Sequence, residues 1–202
     1  NVEQRAVGVK EHGARQCAQA GRRGALPRAV LFDAYGTLFD VYSVATLAEQ
    51  LFPAQGERLA VLWRDKQIEY TRLVSMSSPQ GERYRPFWEL TRAALRYAAQ
   101  RLALPMDAPA EDRLMNQYHH LSCFPENKAV LQALKARGVP TGVLSNGDPQ
   151  MLAVAVKSAG LDGLLEPLLS VHEARRYKTD PAAYALGPAA LKLPARDILF
   201  VS

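Results

Sequence analysis

The sequence predicts an α/β fold: a parallel, Rossmann-like sheet core whose first strand is cut off from the others by an inserted helical-bundle cap. Three patterns point that way. An apolar run at 28–33 ends on Asp33 and is followed by a Tyr-Gly-Thr turn. From about 42 to 121 the apolar residues recur at spacings of three and four, as amphipathic helices require. After that, helical segments alternate with short apolar ones, the order that gives parallel pairing through right-handed crossovers.

Each element follows from local chemistry. In the cap, Leu47, Leu51, Leu59, Leu62 and Trp63, then Leu90, Ala94, Leu95 and Ala98, mark the inner faces of about four helices. Pro53, "SSPQG" at 77–81, "LPMDAP" at 104–109 and "CFPEN" at 123–127 punctuate them, and no strand signal lies between. A helix at 126–137 stops at Gly138, a strand runs 139–145, and a helix at 149–159 stops at Gly160. Glycine just past a helix end supplies the left-handed cap. Apolar runs follow at 167–171 and 198–202, and Pro188, inside the helix after Lys178, is expected to kink or break it. The division expected is a basic, flexible tail over 1–27, a discontinuous core of 28–40 and 122–202, and a cap of 41–121. Because Ser202 falls at the end of a strand, the C-terminal part of the core is expected to be missing, either because the chain is a fragment or because the gene product is truncated.

Composition excludes several classes. The chain has 202 residues, 48% hydrophobic and 22% charged, which suits a soluble domain with a real core and not a disordered segment. No apolar stretch reaches membrane-span length and no signal peptide opens the chain, so a cytoplasmic protein is expected. The net charge of +5 would suggest nucleic acid if it were spread evenly. It is not: Arg5, Lys10, Arg15, Arg22, Arg23 and Arg28 stand against Glu3 and Glu11 alone, and the rest is nearly neutral. A basic arm or transit peptide is the alternative reading of this tail. Cys17 and Cys123 are too few for a disulfide framework.

In open parallel sheets, ligands bind at the carboxyl ends of the strands, and here those ends read Asp33, Ser145 and Ser202. An aspartate there can act as a nucleophile if cations and backbone N–H groups keep it ionised with one oxygen free. In "SNGDPQ", Ser145 and Asn146 offer donors, while Asp148 and Pro149 read as the cap and first residue of a helix whose free N–H groups face the same crevice. In "RRYKTDPAAY", Lys178 precedes an Asp180 cap and Pro181, so its ammonium can lie beside Asp33. His119 and His120 have no further ligand at metal-binding spacing and are assigned no role.

In order, "DAYGTLFD", "SNG", "YKTD" and "ILFVS" resemble the haloacid dehalogenase superfamily, and within it the (S)-2-haloacid dehalogenase group; "LWRDKQIEY" at 62–70 resembles that group's arginine-bearing cap helix. Phosphatases of the superfamily usually carry a second aspartate two residues after the nucleophile, to protonate the leaving alcohol, and bind magnesium. Here that position is Tyr35. Halide leaves without a proton, so the substitution favours carbon–halogen cleavage and removes the reason to expect a metal or other cofactor.

The resemblance implies hydrolysis of a small 2-haloalkanoate through an ester on Asp33, giving the inverted 2-hydroxy acid. It implies that Arg64 and Asn146 receive halide, Ser145 holds the substrate carboxylate and Lys178 supports Asp33. Thr37, Asp180, Tyr184 and Ser202 match further polar positions, and Tyr35, Ile68 and Phe87 match the apolar lining. A homodimer is the family expectation; a nucleic-acid or membrane partner is not. The alternatives are a truncated, non-catalytic or single-turnover member acting by partner binding and, less favoured, a magnesium-dependent phosphatase. Arg64, with Asp65 and Glu69 beside it, also reads as an ordinary surface arginine.

Overall fold

A computed structural model describes residues 26–77 and 80–202, so most of the predicted tail, with Cys17, lies outside the described residues. The chain opens with β1 (Ala29–Phe32) and β2 (Phe39–Asp40), then runs through α1 (Ala45–Leu51), α2 (Gly56–Ser77), α3 (Phe87–Arg101) and α4 (Ala108–His119) to β3 (Ser122–Cys123). It continues through α5 (Asn127–Ala136), β4 (Thr141–Ser145), α6 (Pro149–Ser158), β5 (Leu168–Ser170), α7 (Pro181–Leu191) and β6 (Ile198–Val201). Four strands form a parallel sheet in the order β5-β4-β1-β6. All four residues of β1 are buried, as expected of a strand with neighbours on both edges and cover on both faces. Val30 pairs with Thr141 on one side and Leu199 on the other. Glycines end α5 and α6 as predicted, with Gly138 at φ +69° and Gly160 at φ +63°.

The four helices α1–α4 sit between two paired segments. Phe39 pairs with Cys123 and Asp40 with Ser122, antiparallel, so the inserted bundle leaves the core and returns at one place. Cys123 therefore lies in a strand and not in the loop that the sequence suggests; a two-residue strand is too short to show alternation. In the bundle, Leu59, Trp63, Leu90, Ala94, Leu95 and Ala98 are buried on the faces that their spacing predicts. Gly56 lets α2 cross α1 closely: a Cβ there would lie 2.5 Å from the Glu49 backbone nitrogen.

Two expectations need correction. Pro188 does not break α7, which continues to Leu191. The hydrogen bond that proline forfeits falls in the last turn, on an exposed stretch where water can satisfy the Tyr184 carbonyl. Its neighbour Gly187 faces inward, where a Cβ would approach Leu31 Cδ1 to 2.6 Å. Asp148 occupies the position before α6 but makes no cap bond to that helix. Instead its carboxylate accepts from the Phe87 N–H (3.1 Å) and the Trp88 N–H (2.8 Å), so a core residue caps α3 of the inserted bundle. A carboxylate there satisfies two otherwise unpaired donors and meets the positive end of the helix dipole. Among the described residues no helix is long and apolar enough to cross a membrane.

Two stability effects follow. Gly56→Ala forces Cβ into backbone that cannot yield and should destabilise by about 1–3 kcal/mol in urea unfolding. Asp148→Ala removes both cap bonds and should cost about 1–2 kcal/mol, with Asp148→Asn, which keeps one acceptor, losing less.

Candidate active site

Asp33 emerges where β1 ends, and its backbone is still pinned to the sheet by its N–H bond to the Val201 carbonyl (2.8 Å). Its Oδ1 accepts from the Ala34 N–H (2.7 Å) and from the Lys178 ammonium (2.7 Å). Among the described residues Oδ2 has no hydrogen-bond partner. One oxygen is thus tethered and the other keeps its lone pairs free, on a side chain 18% exposed.

Lys178 is held from three directions. Its ammonium also donates to the Leu144 carbonyl (3.0 Å), and its backbone N–H donates to Asn146 Oδ1 (2.9 Å). On either side, buried Tyr177 donates to the Arg85 carbonyl (2.6 Å), and Asp180 caps α7 through the Ala182 N–H (2.8 Å). Burial lowers the Lys178 pKa from the ordinary lysine value; the Asp33 carboxylate opposes this without cancelling it. Because only an oxygen can accept from the Lys178 N–H, the Asn146 amide has its NH2 group left for a ligand. Ser145 is fully buried, with its Oγ accepting from the Gly147 N–H (3.1 Å).

The opposite wall comes from the inserted bundle. Arg64 of α2 reaches the turn after Asp33: Nη2 donates to the Tyr35 carbonyl and Nη1 to Gln67 Oε1, each at 2.8 Å. These contacts set it apart from a solvated surface arginine. Ile68 lies one turn on, and Phe87 opens α3 with its ring 5.5 Å from that of Tyr35. Tyr35 is buried, which is the main cause of a pKa well above the ordinary tyrosine value, so it is a neutral phenol. Its ring fills the space beside Gly147, where a Cβ would lie 2.5 Å from it. Gly36, which follows, adopts φ +99° and thereby turns the chain under Arg64.

These groups enclose a cavity of about 140 Å³ lined by Asp33, Tyr35, Arg64, Ile68, Phe87, Ser145, Asn146 and Lys178. Thr71, Arg72 and Thr179 line it too, although the sequence reading does not name them. Arg72 follows Arg64 and Ile68 at steps of four on one helical face, so extending that spacing by a turn finds it. Thr37, Asp180, Tyr184 and Ser202 are not part of this lining. Thr37 lies in the turn, where its carbonyl accepts from the Asn127 amide (3.1 Å). Asp180 is occupied as a helix cap, Tyr184 stands edge-on to Phe200 at 5.6 Å, and Ser202 is exposed just past β6. A wider hollow of about 360 Å³ elsewhere is bordered mainly by exposed Glu57, Arg58, Val61 and Asp65 and gathers no buried polar groups.

Chemically the cavity offers one carboxylate with a free oxygen, three cations (Arg64, Arg72 and Lys178), an amide donor and an apolar wall. Among the described residues Asp33 is the only acid in its lining, so none of them supplies a second carboxylic acid there to protonate a leaving group.

The chain is similar to known proteins. The haloacetate dehalogenase H-2 of Moraxella sp. (strain B) is 40% identical over 174 residues, 86% of this chain and 76% of that protein. An (S)-2-haloacid dehalogenase of Pseudomonas sp. (strain YL) is 41% identical over 175 residues, 87% of this chain and 74% of that one. Among solved structures, the L-2-haloacid dehalogenase RSc1362 superposes with a TM-score of 0.85 at 61% identity, covering 87% of this chain and 78% of that one. The L-2-haloacid dehalogenase of Xanthobacter autotrophicus, with chloropropionic acid covalently bound, gives a TM-score of 0.80 at 36% identity, covering 87% of this chain and 69% of that one. The haloacid dehalogenase-like hydrolase profile matches residues 27–202, sheet and inserted bundle together, and the chain belongs to that family.

Proposed function

We propose that the chain hydrolyses (S)-2-haloalkanoic acids to (R)-2-hydroxyalkanoic acids through an ester on Asp33. The observation that carries this reading is the asymmetry of the Asp33 carboxylate: Oδ1 is tethered by Ala34 and Lys178, while Oδ2 has no partner among the described residues. The relatives named as dehalogenases, and the one solved with chloropropionic acid covalently bound, support it.

In the first step Oδ2 attacks C2 of the substrate in line. The C–O bond forms as the carbon–halogen bond breaks, and halide leaves with the bonding pair toward Arg64 and the Asn146 NH2 group. Ser145 and nearby backbone N–H groups hold the substrate carboxylate, while Ile68, Phe87 and Tyr35 pack its alkyl part and exclude water. Holding both reactants in one small cavity removes most of the entropic cost of their meeting. In the second step water adds to the Asp33 carbonyl carbon and the ester C–O bond on the protein side breaks; one proton of the water passes to the leaving oxygen, the other is released to solvent, and the 2-hydroxy acid departs with inverted configuration. Lys178 offsets the negative charge that Asp33 regains.

A second reading has its own observation. Since Asp33 is the only acid among the described residues that line the cavity, a water attacking the ester finds no other carboxylate among them to act as general base. If none reaches it from elsewhere, the chain stops after one alkylation.

Incubation with (S)-2-chloropropionate, following chloride over time and the intact mass, tests both readings. Repeated chloride release without a lasting adduct supports hydrolysis. One equivalent with a stable adduct on Asp33 supports the single-turnover reading, and no halide from any 2-haloacid overturns the proposal. Asp33→Asn should reduce turnover on the order of 10³-fold or more, with circular dichroism reporting whether the variant folds. The active form of Lys178 is the ammonium, present below its pKa and lost above it. Because that pKa is lowered, kcat/KM should fall on the alkaline side before the 10.5 of an ordinary lysine is reached. Lys178→Arg, where it retains activity, should move that limb out of range.

A further inference from the structure

We infer that Gln67 is the positioning residue for Arg64, and that through it a buried hydrogen-bond chain in the inserted bundle sets how well the cavity accepts the departing halide. The inference rests on the dehalogenation reading proposed above.

Gln67 is fully buried in the middle of α2, where an amide without partners would cost about 1–3 kcal/mol. It is bonded at both ends. Its Oε1 accepts from Arg64 Nη1 (2.8 Å) and from the Tyr118 hydroxyl (3.0 Å), and its Nε2 donates to Thr91 Oγ1 (2.6 Å). The Thr91 hydroxyl donates in turn to the Phe87 carbonyl (2.7 Å), and Trp63 Nε1 donates to the Thr91 carbonyl (2.8 Å). Arg64 and Phe87, both in the cavity wall, are thus joined through Gln67 and Thr91 across two helices.

The chain has one direction. The single proton of the Thr91 hydroxyl is given to Phe87, so Thr91 can only accept from Gln67, and the amide must turn its oxygen to Arg64. Reversed, the amide NH2 would face the Arg64 N–H, donor against donor. A guanidinium carries five N–H groups. Gln67 and the Tyr35 carbonyl each take one, which fixes the plane of the group in the cavity that Arg64 lines. A free arginine would have to give up side-chain freedom at the moment of reaction; here it is ordered beforehand.

The consequence is selective. The carbon–chlorine bond is stronger than carbon–bromine and chloride is the poorer leaving group, so its departure depends more on a correctly placed cation. Gln67→Met and Thr91→Val should each lower kcat/KM for (S)-2-chloropropionate by about tenfold or more, and several-fold less for (S)-2-bromopropionate. Thr91→Ser, which keeps the hydroxyl, should leave the chloride-to-bromide ratio at its original value. Melting temperatures report whether each variant folds, and Thr91→Val, nearly isosteric, keeps the test open if Gln67→Met does not. Equal losses for both halides, an unchanged ratio in Thr91→Val, or the same shift in Thr91→Ser would overturn the inference. If the unaltered chain releases no halide, the dehalogenation reading fails, and bromide titration followed by tryptophan fluorescence decides the positioning role separately. Binding about tenfold weaker in Thr91→Val than in the unaltered chain upholds it, and equal binding refutes it.

Discussion

The bond between the Lys178 ammonium and Asp33 Oδ1 is the constraint around which the core is arranged. Both groups are largely withdrawn from water, and neither charge is well tolerated there alone. Bringing them together requires β1 to deliver residue 33, β4 to offer the Leu144 carbonyl as a further acceptor, and the segment before α7 to turn back over the strand ends. The parallel order of the sheet is what puts those ends on one side. Asn146 then completes the arrangement by binding the Lys178 backbone, so two motifs separated by an α/β unit are locked to each other.

The two halves of the chain contribute different chemistry. The sheet supplies Asp33, Ser145, Asn146 and Lys178; the inserted helices supply Arg64, Ile68 and Phe87. Both sets line the one cavity. Their relative placement rests on specific contacts at the same spot: Asp148 binding the first N–H groups of α3, Tyr177 binding the Arg85 carbonyl just before it, and Arg64 binding the Tyr35 carbonyl. His172 lies 3.3 Å from the Asp148 carboxylate and adds attraction when protonated.

Much of this was legible in the sequence, for definite reasons. Asp33, Ser145 and Lys178 sit beside strand ends and helix starts that local residue types announce, and Asp180 caps the helix it precedes. The spacing of Leu59, Trp63, Leu90 and Ala94 shows which faces are buried because helical periodicity is a local property. What could not be read depends on partners far along the chain. Asp148 has every local sign of capping its own helix, yet its carboxylate serves donors 60 and 61 residues away. Gln67 looks like one more polar residue on a charged helix, since nothing nearby reveals that Thr91 and Tyr118 converge on it. Pro188 carries a strong breaking signal, but in a last, exposed turn that signal has little to act on.

The paired residues at 39–40 and 122–123 have a wider meaning. They hold the two ends of the inserted bundle about one strand spacing apart, close to 5 Å. To the sheet, the whole bundle is then equivalent to a surface hairpin loop. Loop-closure entropy rises only with the logarithm of length, so the core's assembly is nearly indifferent to how much chain lies between those ends. Helices there can be lengthened, shortened or exchanged while β1 and its aspartate stay where they are. Asp33 and the helical wall are therefore separate modules, and the wall is the one free to change.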